Sequence, residues 1–392
     1  MTNSEDDRYD VIVVGVGGMG SAAAYHLADR GLDVLGLERY DVPHAQGSSH
    51  GYSRIIRLAY HEHPSYVPLL RAAYDEWRSL EAERGVSLLH ETGSVAGGPP
   101  GSEIFEGARR SCRENDLEHE VLSAAGLNDR FPDYDVPEDF RAVFQPQGGF
   151  LVPENCIVAH VEGAHDRGAE IRARTKVRGW TPLDDGGVTV EAEDGVEGVT
   201  TYEADSLVVA AGAWTGELVP ELEPVLEPER QVVGWFQPDD PDRFDPDSFP
   251  VFVLGEEEAD EVYGFPVHGV PGVKIGRYHH RHETVDPDEM NREPTPEDER
   301  ILREDVEAYL ADAAGPTMRH ETCLFTNAPD SRFVIDSHPE HPEVTVAAGF
   351  SGHGFKFASV VGSVVADLVT DGRTDHPIEQ FGIDRFDDLN LS

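Results

Sequence analysis

The stretch YDVIVVGVGGMGSAAAYHLADRGLDVLGLERY, from Tyr9 to Tyr40, constrains this chain more than any other part of it. The apolar run at 9–14 predicts a buried strand. Glycines follow, then a helix of small residues, then Gly31 as its C-terminal stop, then a second strand ending at Glu38. That order is a βαβ unit. Its turn carries Gly15, Gly17 and Gly20 in GxGxxG spacing. Glycines permit a tight turn and a close approach to a pyrophosphate, which the positive helix end stabilises. Glu38 falls at the distance expected of an acid that contacts a ribose hydroxyl. The unit predicts dinucleotide binding.

Two further segments extend the same theme. DSLVVAAGAWT (205–215) reads as an apolar strand stopping at Gly212. EVTVAAGFSGHGFKFASVVGSVVADLVTDG reads as strand, turn and helix, with Gly352 and Gly354 in the turn. Residues 86–150 and 221–322 differ: they are rich in Pro, Gly and acids, with short β-like runs such as RQVVGWF and VYGFPV, which suggest an antiparallel sheet. The expected fold class is α/β plus antiparallel β. A discontinuous Rossmann-like dinucleotide domain takes residues 1–85, 151–220 and 325–392. A substrate domain built on a mixed or antiparallel sheet takes 86–150 and 221–324.

Charge narrows the partners. The chain has 76 acidic against 31 basic residues, a formal net charge of -45. Nucleic acid and anionic membrane both require positive surface, so neither is expected as a partner. Self-repulsion of this size is tolerated where salt shortens the Debye length, to roughly 3 Å at 1 M, which points to a salt-loving organism. The acidic opening MTNSEDDRYD lacks the basic region of a secretory signal, and no stretch approaches a membrane span. Cys112, Cys156 and Cys323 are too widely spaced for a disulfide framework or a CxxC pair. A soluble, cytoplasmic protein is expected.

Only three lysines occur: Lys176, Lys274 and Lys356. Lys356 stands among glycines just where a helix begins, a place the helix dipole makes unfavourable for a cation by roughly 0.3–1 kcal/mol. An anionic partner nearby resolves the conflict; the alternative is a lysine reaching back to solvent. Arg54 and Arg57, in SRIIR, share a face if that segment is helical. The cluster His279, His280 and His282 in KIGRYHHRH has the residue type of a metal site, but no carboxylate–histidine spacing accompanies it, so no metal is expected.

The segments VIVVGVGGMG, GSSHGYSRIIRLAY, VVAAGAW, RQVVGWF, DPDEMNRE, CLFTNAPDSRFVID and AAGFSGHGFKF together resemble the monomeric sarcosine oxidase and N-methyltryptophan oxidase family, within the D-amino-acid-oxidase-like flavoproteins. The resemblance runs nearly end to end. It implies FAD as cofactor and oxidation of an N-methyl amino acid, with O2 reduced to H2O2 and formaldehyde released, by a monomer. It implies that Cys323 forms a thioether to the flavin, that Arg54 lies beside the flavin, and that Arg57 and Lys356 hold the substrate carboxylate. His50 shares the motif as a cofactor-site residue. Lys274 is implied to serve oxygen on the opposite flavin face, and Tyr263 to position the amine. One extra residue in KIGRYHHRH puts the family's histidine at His279, with Tyr278 and His280 as alternatives. Phe325 and Ala328 depart from the usual Tyr and Thr. Rival readings are an NAD-dependent dehydrogenase, a flavin oxidase of cyclic or D-amino acids, and a flavin electron-transfer subunit.

Overall fold

The computed structural model describes residues 8–386 other than 185, 197 and 257–260; the acidic opening residues 1–7 and most of the acidic loop at 255–261 lie outside them. The first strand, Arg8–Val14, is buried from Val11 onward. It runs parallel to its neighbours on both sides, pairing Val11 with Val34 and Val14 with Val209. Strand Gly198–Val209 continues the parallel order to Val344–Ala348 through Leu207 and Val344. Central parallel strands are covered on both faces, which is why VIVV and LVV read as unbroken apolar runs rather than alternating ones. Helices Gly18–Asp29 and Ala358–Asp371 pack together on one face. An antiparallel meander of Thr175–Pro182 and Val188–Asp194 completes that side of an eight-stranded sheet.

The C-terminal ends of the three parallel strands converge, bringing the loops after Val14, Val209 and Ala348 to one edge. Ligands of open α/β sheets bind at such an edge. Gly15 sits there with φ +86°, and a Cβ would lie 2.5 Å from the Ala210 carbonyl oxygen. Only glycine lets these two loops come so close.

A second sheet, of nine strands, takes segments from 94–98 through 317–327. Its pairings are antiparallel except that of Val251–Leu254 with Ser94–Gly98. Strand Thr317–Asn327 lies along Glu227–Phe236 for most of its length. Among the described residues no helix is long and apolar enough to cross a membrane.

The condition on which Arg54 and Arg57 would share a face is not met. Residues Arg54–Ile56 form a strand, not a helix, pairing with Gly149–Leu151 in a small three-stranded sheet. Along an extended chain, positions three apart point to opposite sides. Arg54 and Arg57 therefore leave the chain on different sides, although both line the same cavity.

Candidate functional site

The strand-end loops enclose a groove lined by Gly15, Gly17, Glu38, Arg54, Gly212, Gly352 and Gly354. Gly20 lies behind it, packed so that a Cβ would strike the Gly15 carbonyl oxygen at 1.7 Å. Glu38 is buried at the end of its strand. One carboxylate oxygen accepts from the Val16 N–H and the other from the Tyr40 N–H, each at 2.9 Å. Burial pushes its pKa up, but His44 and these two N–H donors outweigh that and hold it below the usual carboxylate range.

The groove opens into a cavity of about 730 Å³, the two sharing Arg54, Phe325, Gly352 and Phe355 as walls. At this junction Arg54 donates to the carbonyls of Ser48 and Ser53 and lies 3.4 Å from the Cys323 sulfur. Burial raises the Cys323 pKa, but Arg54, His50 and Lys274 outweigh it and bring the thiol down to about 7. A thiol so placed is substantially thiolate near neutrality. His50 is buried beside Cys323 and Glu321, in hydrogen-bond geometry with neither; burial opposes its protonation, yet those anions raise it to about 9. The other cysteines behave oppositely: burial pushes Cys112 up to about 12 and Cys156 well above its ordinary value.

Lys274 is 1 % exposed and lines neither space. Its Nζ donates to the Gly51 carbonyl at 2.8 Å, the Ser53 carbonyl at 2.9 Å and the Ser53 hydroxyl at 3.2 Å. Burial, then Arg54, drive its pKa well below the ordinary lysine value.

Two cations that line the cavity lie near one buried ring. The Arg57 guanidinium lies 4.8 Å and the Lys356 ammonium 5.2 Å from the centre of Tyr60. Lys356 is 5 % exposed, so it does not reach solvent. It occupies a 3-10 turn ahead of the Ala358–Asp371 helix and folds back to donate to the His353 carbonyl at 2.6 Å. Burial and the neighbouring Arg57 depress its pKa to about 7, against the pull of Glu62 and Glu261.

Tyr263 reaches the cavity from strand Val262–Phe265, opposite Gly276 on strand Val273–Arg277. A Cβ on Gly276 would lie 2.5 Å from the Tyr263 ring, so glycine there makes room for it. Tyr263, Phe265 and Lys274 share one face of this strand pair, because directly opposed residues point the same way. The alternation along 274, 276 and 278 then carries Tyr278, not His279, to the cavity wall. Tyr278 lines it and donates its hydroxyl to the Ser351 carbonyl. His279 takes a left-handed backbone, φ 53°, and turns to Glu229. His280 is buried against Asp298 in an ion-pair network with Arg230. The assignment of His279 to the cavity is thus corrected to Tyr278, the parity of the strand being the reason.

Among the cavity acids and bases that escaped sequence reading are His61, Glu62 and Glu261. His61 Nε2 lies 3.1 Å from Glu261. Glu261 and Tyr263 alternate on one side of the same run, the one local signal that could have found it.

Does the groove suit FAD? A Cβ on Gly17 or Gly212, both of which line the groove, would meet no protein atom within 4 Å and would stand in its space. The donor set suits it too, with peptide N–H groups at one end and, at the junction with the cavity, Arg54 beside the low-pKa thiol of Cys323. The residues fit the cofactor. A glycine-walled dinucleotide groove joined to a cavity with paired cations defines the class, a dinucleotide-dependent enzyme acting on a small molecule. The chain belongs to the FAD dependent oxidoreductase family, whose match covers residues 10–368. It is 42% identical over 383 residues to monomeric sarcosine oxidase of Bacillus sp. (strain NS-129), covering 96% of this chain and 97% of that one. It is 35% identical over 386 residues to N-methyl-L-tryptophan oxidase of Yersinia pestis (strain Pestoides F), covering 96% and 99%. Among solved structures it is similar to NikD, an unusual amino acid oxidase, with a TM-score of 0.81, 25% identity and coverage of 96% and 97%. L-proline dehydrogenase from P. horikoshii shares the fold, with a TM-score of 0.81 at 22% identity and coverage of 97% and 98%.

Proposed function

We propose that this chain is an FAD-dependent oxidase of N-methyl amino acids, of sarcosine or N-methyltryptophan type. The overall change takes the N-methyl amino acid, O2 and water to the free amino acid, formaldehyde and H2O2. When bound, FAD supplies the acceptor that takes a hydride from the N-methyl carbon and hands two electrons to O2. The observation that carries the reading is the pair of buried cations, Arg57 and Lys356, which both line the cavity and lie 4.8 and 5.2 Å from the centre of the Tyr60 ring. Two cations on one carboxylate make charge-assisted hydrogen bonds that fix the rest of the molecule in place. The amine end then lies toward the junction, where Tyr263 and Tyr278 form the wall. Phe325 at that wall contributes ring surface and no hydroxyl.

Cys323 is proposed as the covalent attachment point. Arg54 and His50 support this by favouring its thiolate. Lys274 is proposed to serve O2, a buried cation being suited to stabilise negative charge developing on oxygen. The domain division is proposed at 1–85, 151–220 and 325–392 for the cofactor and 86–150 and 221–324 for the substrate; nearly all strands of the two large sheets sort accordingly. The protein is further proposed to be a cytoplasmic monomer of a salt-rich interior. The test is H2O2 production in high salt across sarcosine, N-methyltryptophan, pipecolate and D-amino acids. Peroxide from an N-methyl substrate with stoichiometric formaldehyde is expected. Turnover confined to cyclic or D-amino acids, or reduction of a dye acceptor without peroxide, would replace the reading.

A further inference from the structure

The turn that diverts His279 from the cavity builds something else. Two residues of this turn, His279 and His282, have left-handed backbones, φ 53° and 51°, a conformation uncommon for residues with a side chain. The His282 N–H closes the turn on the His279 carbonyl at 2.8 Å. The result is two imidazoles stacked at 16° with centres 5.4 Å apart. Beneath them lies Glu229, 50 residues earlier in the chain and brought in by strand Glu227–Phe236. Its carboxylate is 3 % exposed, and Oε2 lies 2.6 Å from His279 Nδ1. One ligand atom from each of Glu229, His279 and His282 lies within 4.8 Å of the others.

We propose that Glu229, His279 and His282 form a binding site for a divalent transition metal, zinc by preference. Two imidazoles and one carboxylate are the donor set of zinc and its neighbours, not of magnesium or calcium, which take oxygen ligands. The carboxylate is already held: Asn327 Nδ2 donates to Oε2 at 2.6 Å and Gln231 Nε2 to Oε1 at 2.8 Å. Such outer partners fix a ligand's orientation before the ion arrives. His282 is exposed, leaving one side open to solvent water as a fourth ligand. The 2.6 Å contact of His279 with Glu229 must open by about 0.7–1.0 Å for both to ligate one ion, since ligand bonds near 2.0–2.2 Å set tetrahedral edges of about 3.3–3.6 Å. The ion then takes the place of the proton shared by His279 and Glu229. None of the three residues lines the groove or the cavity. The site's reach is structural: Tyr278 precedes His279 directly, so an ion here pins the turn that delivers Tyr278 to the cavity wall.

The experiment uses the flavin-loaded enzyme, freed of metal with EDTA and titrated with Zn²⁺ against a chromophoric chelator. Wild type should bind one equivalent that His282→Ala binds roughly tenfold or more weakly, with Glu229→Gln weakened likewise. The 18 histidines of the chain offer other weak sites, so the difference between proteins is the readout. Zn²⁺ should raise the melting temperature of wild type but not of His282→Ala, and Mg²⁺ at equal concentration should do neither. His282 is exposed, and His282→Gln serves if the alanine variant is poorly folded. Identical zinc titrations for wild type and either His282 variant would overturn the proposal, as would the absence of a saturable equivalent in wild type.

Discussion

A single arginine nitrogen, Nη2 of Arg57, lies 2.9 and 3.0 Å from the two carboxylate oxygens of Glu62. The guanidinium also donates to the Ala59 carbonyl at 3.1 Å. Burial alone would raise Glu62, but Arg57 and the neighbouring His61 outweigh it and hold the carboxyl far below its usual range. The cation proposed to receive the substrate carboxylate therefore already has an anion. A carboxylate ligand has to share Arg57 with Glu62 or displace it.

Glu62→Gln should consequently tighten binding of an amine-free carboxylate, by roughly tenfold if one charge-assisted bond of about 1.5 kcal/mol is released for the ligand. Arg57→Ala and Lys356→Ala should weaken it, by roughly 2–5 kcal/mol where the pair is desolvated. Perturbation of the flavin absorbance by the ligand measures all three. Weaker binding by Glu62→Gln would mean that Glu62 orients Arg57 for the ligand instead of competing with it.

The pH dependence of that binding follows from Lys356. Burial and Arg57 set its pKa at about 7 in the free protein, so the ammonium exists below that pH and is lost above it. An anionic ligand binds the charged form. Its affinity should be flat below pH 7 and fall above it, by up to about tenfold per unit. Lys356→Met should bind weakly and without this inflection. An amine-free carboxylate is the right probe, because a substrate amine titrates as well. An unchanged inflection in Lys356→Met would assign it to another group.

What the sequence disclosed was whatever lies close together in the chain. Gly15, Gly17 and Gly20 announce their turn because strand, turn and helix are contiguous, and Lys356 stood out because its own helix end disfavours it. Long-range placement was less legible. Choosing between Tyr278 and His279 needed the register of Val262–Phe265 against Val273–Arg277, and a single-residue slip reverses every side chain. The same dependence hid the carboxylate of Glu229 from the histidine turn. Arg54 and Arg57 were read at helical spacing because SRIIR carries no period of its own, and pairing with Gly149–Leu151 decided for a strand. Glu62 and Glu261 were invisible for another reason: among 76 acids, one more carries no signal.

Covalent attachment predicts where the colour goes. The purified protein should be yellow, and the yellow should stay with acid-precipitated protein. Cys323→Ala should release it to the supernatant. Arg54→Ala should slow attachment, since the charge of Arg54 helps to lower the thiol's pKa. Complete release of FAD from wild type would exclude the bond.

Net charge predicts a salt requirement. Repulsion among 76 acids and 31 bases is long-ranged until screened, and it acts most strongly on the compact state. The melting temperature should rise between low and molar KCl, and the rise should saturate once the Debye length falls below the spacing of surface charges. An unchanged melt would remove the salt-rich interior as the explanation of the composition.

The two buried lysines separate oxygen chemistry from amine chemistry. Lys356 lines the cavity, whereas Lys274 is sealed beneath the carbonyls of Gly51 and Ser53, on neither cavity nor groove. If Lys274 serves O2, Lys274→Met should leave anaerobic bleaching of the flavin by substrate largely intact. Reoxidation by O2 should slow by orders of magnitude, since a preorganised cation at a developing anion is worth several kcal/mol. Lys356→Met should reverse the pattern, with poor reduction and near-normal reoxidation, because it loses a contact with the substrate carboxylate and none with oxygen. Stopped-flow absorbance of the two half-reactions distinguishes them. Lys274 also anchors the Gly51–Ser53 turn, so Lys274→Arg, which keeps a cation and donors, serves as the control for a merely structural loss. If both Met variants fail in the same half-reaction, the lysines do not divide the chemistry, and the assignment of Lys274 to oxygen falls.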